Sequence, residues 1–113
     1  MKSLILSLTV ILIMLSACIN ESKPKTVYYK STRPELEHCN NKLTPKERDV
    51  CYQQTAMKAN SDALCDEVNE VELKNACYLE VARDTSNQYI CQKIIKDDDV
   101  YTKCMTSSTD DYY

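Results

Sequence analysis

"LCDEVNEVELKNACY", residues 64–78, holds two cysteines twelve positions apart around a stretch of helical character. The same spacing recurs on both sides. With Cys18 set aside, the cysteines fall at 39, 51, 65, 77, 91 and 104, at intervals of 12, 14, 12, 14 and 13. That alternation is a period of 26. When 34–59, 60–85 and 86–111 are placed in register, Cys39, Cys65 and Cys91 align. Cys51-Tyr52 aligns with Cys77-Tyr78, and Cys104-Met105 follows one place late. A self-similar unit of this length predicts a stack of small helical repeats.

Each unit reads as two helices. The longer is clearest in "LTPKERDVCYQQTAMKAN", residues 43–60, where Thr44 is a natural N-cap, Pro45 a first helical residue and Glu47 a capping-box partner. In the next unit Leu73, Cys77 and Val81 recur at i, i+4 and i+8, with Ala76 beside them, which is one apolar face. Ala56 and Ala82 leave room for a neighbouring helix. The shorter helix is expected to start at Ser61-Asp62 or at Ser86, burying Leu64, Cys65 and Val68, then Ile90, Cys91 and Ile94.

The pairing of the cysteines follows from helix rise. With the turn near Asn69-Glu70, Cys65 lies about five residues before it and Cys77 about seven after, so both stand at nearly equal height on antiparallel neighbours. That suits the Cα separation of roughly 5–6 Å that a disulfide requires. Pairing Cys51 with Cys65 would leave a mismatch of roughly 6 Å. The expected bridges are therefore Cys39–Cys51, Cys65–Cys77 and Cys91–Cys104.

The N-terminus explains the seventh cysteine. "MKSLILSLTVILIMLSACIN" has one Lys, then an apolar run from Leu4 to Leu15 that is short for a membrane span, then small residues. This is an export signal, and export is what an even disulfide set implies. Leu15-Ser16-Ala17-Cys18 resembles the lipobox of prokaryotic lipoproteins. The resemblance implies that residues 1–17 are removed and that Cys18 carries a diacylglycerol as the mature N-terminus. It also implies an outer-membrane address in a two-membrane host, because Ile19 stands where an inner-membrane protein would have Asp. An ordinary secretory signal, or an uncleaved anchor, with a chance cysteine is the alternative.

Beyond the signal, 18–33 reads as a basic tether, with Lys23, Lys25, Lys30 and Arg33 against Glu21, able to touch anionic headgroups or simply stay solvated. Residues 34–106 form the disulfide-stabilised helical domain, and 107–113 a flexible acidic tail. The part from 34 onward has nine basic against sixteen acidic residues, which argues against a nucleic-acid partner. There is no Gly, Trp or Phe in the chain. Without Gly, tight hairpins and left-handed helix ends lose their preferred residue, which favours an all-α fold: three disulfide-linked αα-hairpins in a short solenoid or compact bundle. The idea of bridged helix pairs is similar to that of Sel1-type repeat proteins. Their repeats are longer and contain Gly, so no residue role is carried over.

Chemistry-bearing residues are few. His38, the single histidine, sits beside Cys39, but zinc sites use cysteines two to four apart and none are so spaced, so no metal and no cofactor other than the Cys18 lipid is expected. A thiol oxidoreductase would need close, low-pKa cysteines, and a serine hydrolase would have to run through His38; no catalytic residue is assigned. Asp97-Asp98-Asp99 reads as a charged turn, and Asp110, Asp111, Tyr112 and Tyr113 as a frayed end or a recognition peptide. Tyr52 and Tyr78 are packing residues or, if exposed, interface residues. The expected function is a non-catalytic, membrane-anchored, protein-binding or structural module. An exclusion or immunity lipoprotein blocking a receptor, phage entry or toxin is the second reading, and a periplasmic thiol-redox or metal-binding protein the third.

Each bridge closes a loop of about 13 residues, worth about 3 kcal/mol on the chain-entropy account. A core this small rarely supplies more than roughly 3–5 kcal/mol. Strong reductant is therefore expected to abolish the cooperative thermal transition of the domain, as read by circular dichroism.

Overall fold

A computed structural model describes residues 25–42 and 44–108. Among them there is no strand. A 3-10 turn, η1 (Pro34–Cys39), precedes helix α1 (Pro45–Lys58); a short helix α2 (Asp62–Cys65) precedes α3 (Val71–Thr85); a second 3-10 turn, η2 (Gln88–Lys93), precedes α4 (Asp98–Ser107). A short element followed by a longer one thus occurs three times. The bridges Cys39–Cys51, Cys65–Cys77 and Cys91–Cys104 join the two members of each pair, with Cα separations of 5.5, 5.7 and 5.7 Å.

Local chemistry accounts for the helix starts. Thr44 Oγ1 accepts from the Glu47 amide at 3.1 Å, Ser61 caps α2 through the Leu64 amide, and Asp97 Oδ1 caps α4 through the Val100 amide at 3.0 Å. Asp98 and Asp99 then lie in the first turn of α4, where carboxylates oppose the helix dipole favourably. The acidic triplet is a helix start. The cap of the third short element is Asn87, one residue beyond the expected Ser86.

Ser86 does something else. It takes φ 51°, and Asn60 takes φ 49°, as the left-handed residues that end α3 and α1. The Ser61 amide reaches back to Ala56 O at 3.0 Å and the Asn87 amide to Ala82 O at 2.9 Å, which closes each end as a Schellman turn. Lack of glycine does not prevent these ends. It places them on residues that carry a steric cost of about 1–2 kcal/mol in this region.

The core is one cluster running through all three pairs: Leu36, Tyr52, Ala56, Leu64, Val68, Tyr78, Val81, Ala82 and Ile90, with five of the six bridged cysteines fully buried. Cys77 and Val81 sit inside as expected, whereas Leu73 and Ile94 are only partly covered. Small residues at 56 and 82 are fully buried where successive helices meet.

Two buried polar side chains fasten each pair to the next. Asp49, fully buried on α1, accepts from the Asn69 amide at 2.7 Å, Asn69 Nδ2 at 2.9 Å and the Glu70 amide at 2.7 Å. It therefore caps α3 from outside, because Glu70 makes no side-chain cap of its own. Asn75 on α3 holds the next linker in the same way: the Ile95 amide donates to its Oδ1 at 2.9 Å, and its Nδ2 donates to Ile95 O at 2.9 Å. Asp49 and Asn75 are 26 positions apart, and so are Asn69 and Ile95.

Both ends of the domain differ from the expected boundaries. The stretch 29–33 is docked on the body, so the folded unit begins before Pro34. At the other end α4 runs to Ser107, and Ser108 is buried with its Oγ donating to Cys104 O at 2.7 Å. Ser107 ends the helix and Ser108 caps it; 109–113, like 1–24 with Cys18, lie outside the described residues.

Asp49→Ala should lower stability by about 3 kcal/mol, since it removes a buried acceptor from three part-buried donors, and Asn75→Ala by about 2 kcal/mol. Urea denaturation of the oxidised proteins measures both.

Candidate functional site

The linkers 66–70 and 94–97 and the N-terminal arm, 25–33, build one edge of the molecule. The arm is held at two points. The Tyr29 amide donates to Asn69 Oδ1 at 3.0 Å, and Asn69 Nδ2 donates back to Tyr29 O at 3.3 Å. Two residues on, the amide of buried Ser31 donates to Tyr52 Oη at 2.9 Å, and Asn40 Nδ2 donates to Ser31 O at 2.8 Å. Arg33 adds an ion pair with Glu67 at 3.0 Å. Expected as a solvated tether, this segment is instead part of the fold from Tyr29 onward.

Tyr52 and Tyr78 are not interface residues. Both rings are buried, and both hydroxyls are satisfied inside the protein. Tyr52 Oη donates to Asn40 Oδ1, and Tyr78 Oη donates to Asp66 Oδ1 at 2.6 Å. In each case the acceptor follows the first cysteine of a bridge and the tyrosine follows the second, so the disulfide fixes the distance that the hydrogen bond needs. Burial pushes the Tyr78 hydroxyl well above the ordinary tyrosine range, and the Asp66 carboxylate pushes it further.

Lys93 reaches across from η2. Its Nζ lies 2.8 Å from Asp62 Oδ2, 3.3 Å from Asp66 Oδ1 and 5.7 Å above the Tyr78 ring. The hydrogen bond from Lys93 holds the Asp62 carboxyl below its ordinary value, against the opposing effect of partial burial. The hydrogen bond to Asp62 correspondingly raises the Lys93 ammonium. All three charged groups remain partly exposed, so solvent screens the network.

What stays open at this edge is a mixture of polar and apolar groups. Tyr29 is 70% and Val27 61% exposed, and both line an open cleft of about 400 Å³ with Asn69 and Lys74. A neighbouring cleft of about 400 Å³ lies between Val71, Asn75, Ile95 and Lys96, with Val71 and Ile95 also exposed. Lys96 is held at φ 48°, in the stretch where the third pair carries its extra residue. No sequence pattern marks these side chains, because none belongs to a helical stripe. The legible signal was Asp49 and Asn75, two residues before the second cysteine of their pairs, where a polar group stands on an inward helix face.

At the other candidate, His38 is exposed on η1, with Nε2 3.5 Å from Cys39 Sγ and 3.3 Å from Thr55 Oγ1. Ligand atoms of His38, Cys39 and Cys51 lie within 4.8 Å of one another, the one grouping of that kind among the described residues. The two sulfurs are bonded to each other, so they offer no thiolate to a metal.

Together these observations define a disulfide-clamped all-α protein. Compared with known proteins, the chain matches no family model, no curated protein and no solved structure. No helix among the described residues is long and apolar enough to cross a membrane. Three disulfides are compatible with an extracytoplasmic location.

Lys93→Met should cost about 1 kcal/mol at neutral pH. Because the folded-state carboxyl of Asp62 lies below its ordinary 3.8, its share of that difference is present above this value and lost as pH falls through the folded one. Parent and variant stabilities should therefore converge in acid. Paired denaturation curves from pH 7 to pH 2 check this.

Proposed function

We propose that this chain is an extracytoplasmic lipoprotein, held to a membrane through a diacylglycerol on Cys18, whose helical domain binds another protein. The observation that carries the binding role is the exposed apolar edge at Val27, Tyr29, Val71 and Ile95 on a scaffold fixed by three covalent bridges. Aromatic and aliphatic groups displayed in neighbouring clefts on a rigid frame are what a protein interface uses, because little conformational entropy is lost when they are covered. The edge is rimmed by Glu67, Glu72, Lys74 and Lys96, which gives the surrounding polar ring that such interfaces have.

The anchor rests on the signal at the N-terminus and on the lipobox ending at Cys18, with Ile19 favouring the outer membrane where two membranes exist. Disulfide chemistry supports the same side of the membrane. The arm enters the fold at Tyr29, on the edge that carries the two clefts. This supports a surface that a partner embedded in or resting on the bilayer can reach.

Two measurements test this. Cys18→Ser should move the protein from the membrane fraction to the soluble extracytoplasmic fraction. A photo-crosslinking residue at position 95 should capture one defined protein in the native envelope, while the same residue at exposed Arg83 captures none; equal yields at both positions would remove the proposed surface.

A further inference from the structure

The three bridges are chemically unequal. Five of their cysteines are fully buried, and Cys51 alone is partly exposed. It opens into a cleft of about 500 Å³ near the start of α1, lined by Lys42, Lys46, Glu47, Val50 and Gln54, in which two ammonium groups face one carboxylate. Its partner, Cys39 Sγ, is buried but not isolated: His38 Nε2 lies at 3.5 Å and Thr55 Oγ1 at 3.7 Å. Neither of the other bridges has an imidazole beside it. Cys77 Sγ meets the Gln53 carbonyl at 3.9 Å and Cys91 Sγ the Ser108 hydroxyl at 4.0 Å, and the only histidine in the chain is the one beside Cys39.

Disulfide exchange needs an accessible sulfur for the incoming thiolate and a stabilised thiolate as leaving group. The first bridge supplies both, on different sulfurs. We propose that Cys39–Cys51 is a thiol-exchange site for small anionic thiols. A thiolate drawn in by Lys42 and Lys46 attacks Cys51 Sγ and forms a mixed disulfide there. The Cys39–Cys51 bond breaks, and its electron pair goes to Cys39 Sγ. A proton on His38 Nε2 and the Thr55 hydroxyl then donate hydrogen bonds to the new thiolate. A second molecule of the thiol attacks the sulfur of the bound one and releases Cys51. The balance is one disulfide of the small thiol formed and one protein disulfide reduced to Cys39 and Cys51 thiols. The site stands on the geometry of the described residues and does not depend on the membrane anchor.

The position has a built-in comparison. His38 aligns with Leu64 one unit on, so His38→Leu puts at this register a residue the fold already accepts there. The experiment exposes the oxidised full chain to glutathione for graded times, quenches with an alkylating agent and maps the labelled peptides by mass spectrometry. The expected result is that Cys39–Cys51 opens first and that the glutathione adduct sits on Cys51. In His38→Leu, opening of that bridge should slow about tenfold, from loss of the hydrogen bond to the leaving thiolate. Opening of Cys65–Cys77 and Cys91–Cys104 in the same sample should keep its parent rate, which serves as the control for folding. The proposal is overturned if another bridge opens as fast, if the adduct forms on Cys39, or if His38→Leu opens within twofold of the parent.

Discussion

Asp49 is a carboxylate with no access to water, surrounded by three N–H groups from the next helix pair. Burying a charge is costly unless the lone pairs it presents are met, and here two of the donors are backbone amides, of Asn69 and Glu70, that rely on it. That mutual need fixes where the second pair sits on the first. Asn75 repeats the arrangement with a neutral amide, which serves the carbonyl and the N–H of Ile95 at once. The covalent bridges act within pairs, and these polar clamps act between them. A core with few large side chains leaves the clamps to decide how the pairs stack.

Much of this fold was legible in the spacing of the cysteines. Antiparallel helices of unequal length leave one adjacent pairing at equal height, and the bridges follow it. Caps at Thr44 and Ser61 were legible because they depend on one side chain and its neighbours. The misreadings lie where a residue's role depends on something distant. The stretch 29–33 looks like a solvated tether by composition, yet it is bound by Asn69, Tyr52 and Asn40, residues that no local pattern connects to it. Tyr52 and Tyr78 were open between packing and display, and burial decides for packing because Asn40 and Asp66 satisfy their hydroxyls. Ser86 has the composition of a helix start but closes the preceding helix, since a chain without glycine needs some residue to turn left there.

The candidate surface was less legible still. Val27, Tyr29, Val71 and Ile95 come from an arm, a helix start and a linker, and only the clamps at Asn69 and Asn75 gather them on one edge. Acidity of the helical body, by contrast, is a property of composition alone, and part of it is internal business: Asp49, Asp62, Asp66 and Glu67 are engaged with groups of the protein itself. The net negative charge is therefore a weaker guide to a partner than the apolar groups left uncovered.

Because the arm is tied to Asn69 on one side and to Tyr52 on the other, tension applied at the N-terminus is shared by two helix pairs from the outset. A chain that entered at Pro34 would be peeled away one turn at a time, beginning with η1. Entry at Tyr29 routes the same load first into the linker next to α3 and into the ring of α1, where covalent rungs stand close behind. A load on the N-terminal arm thus meets the second helix pair before it meets η1.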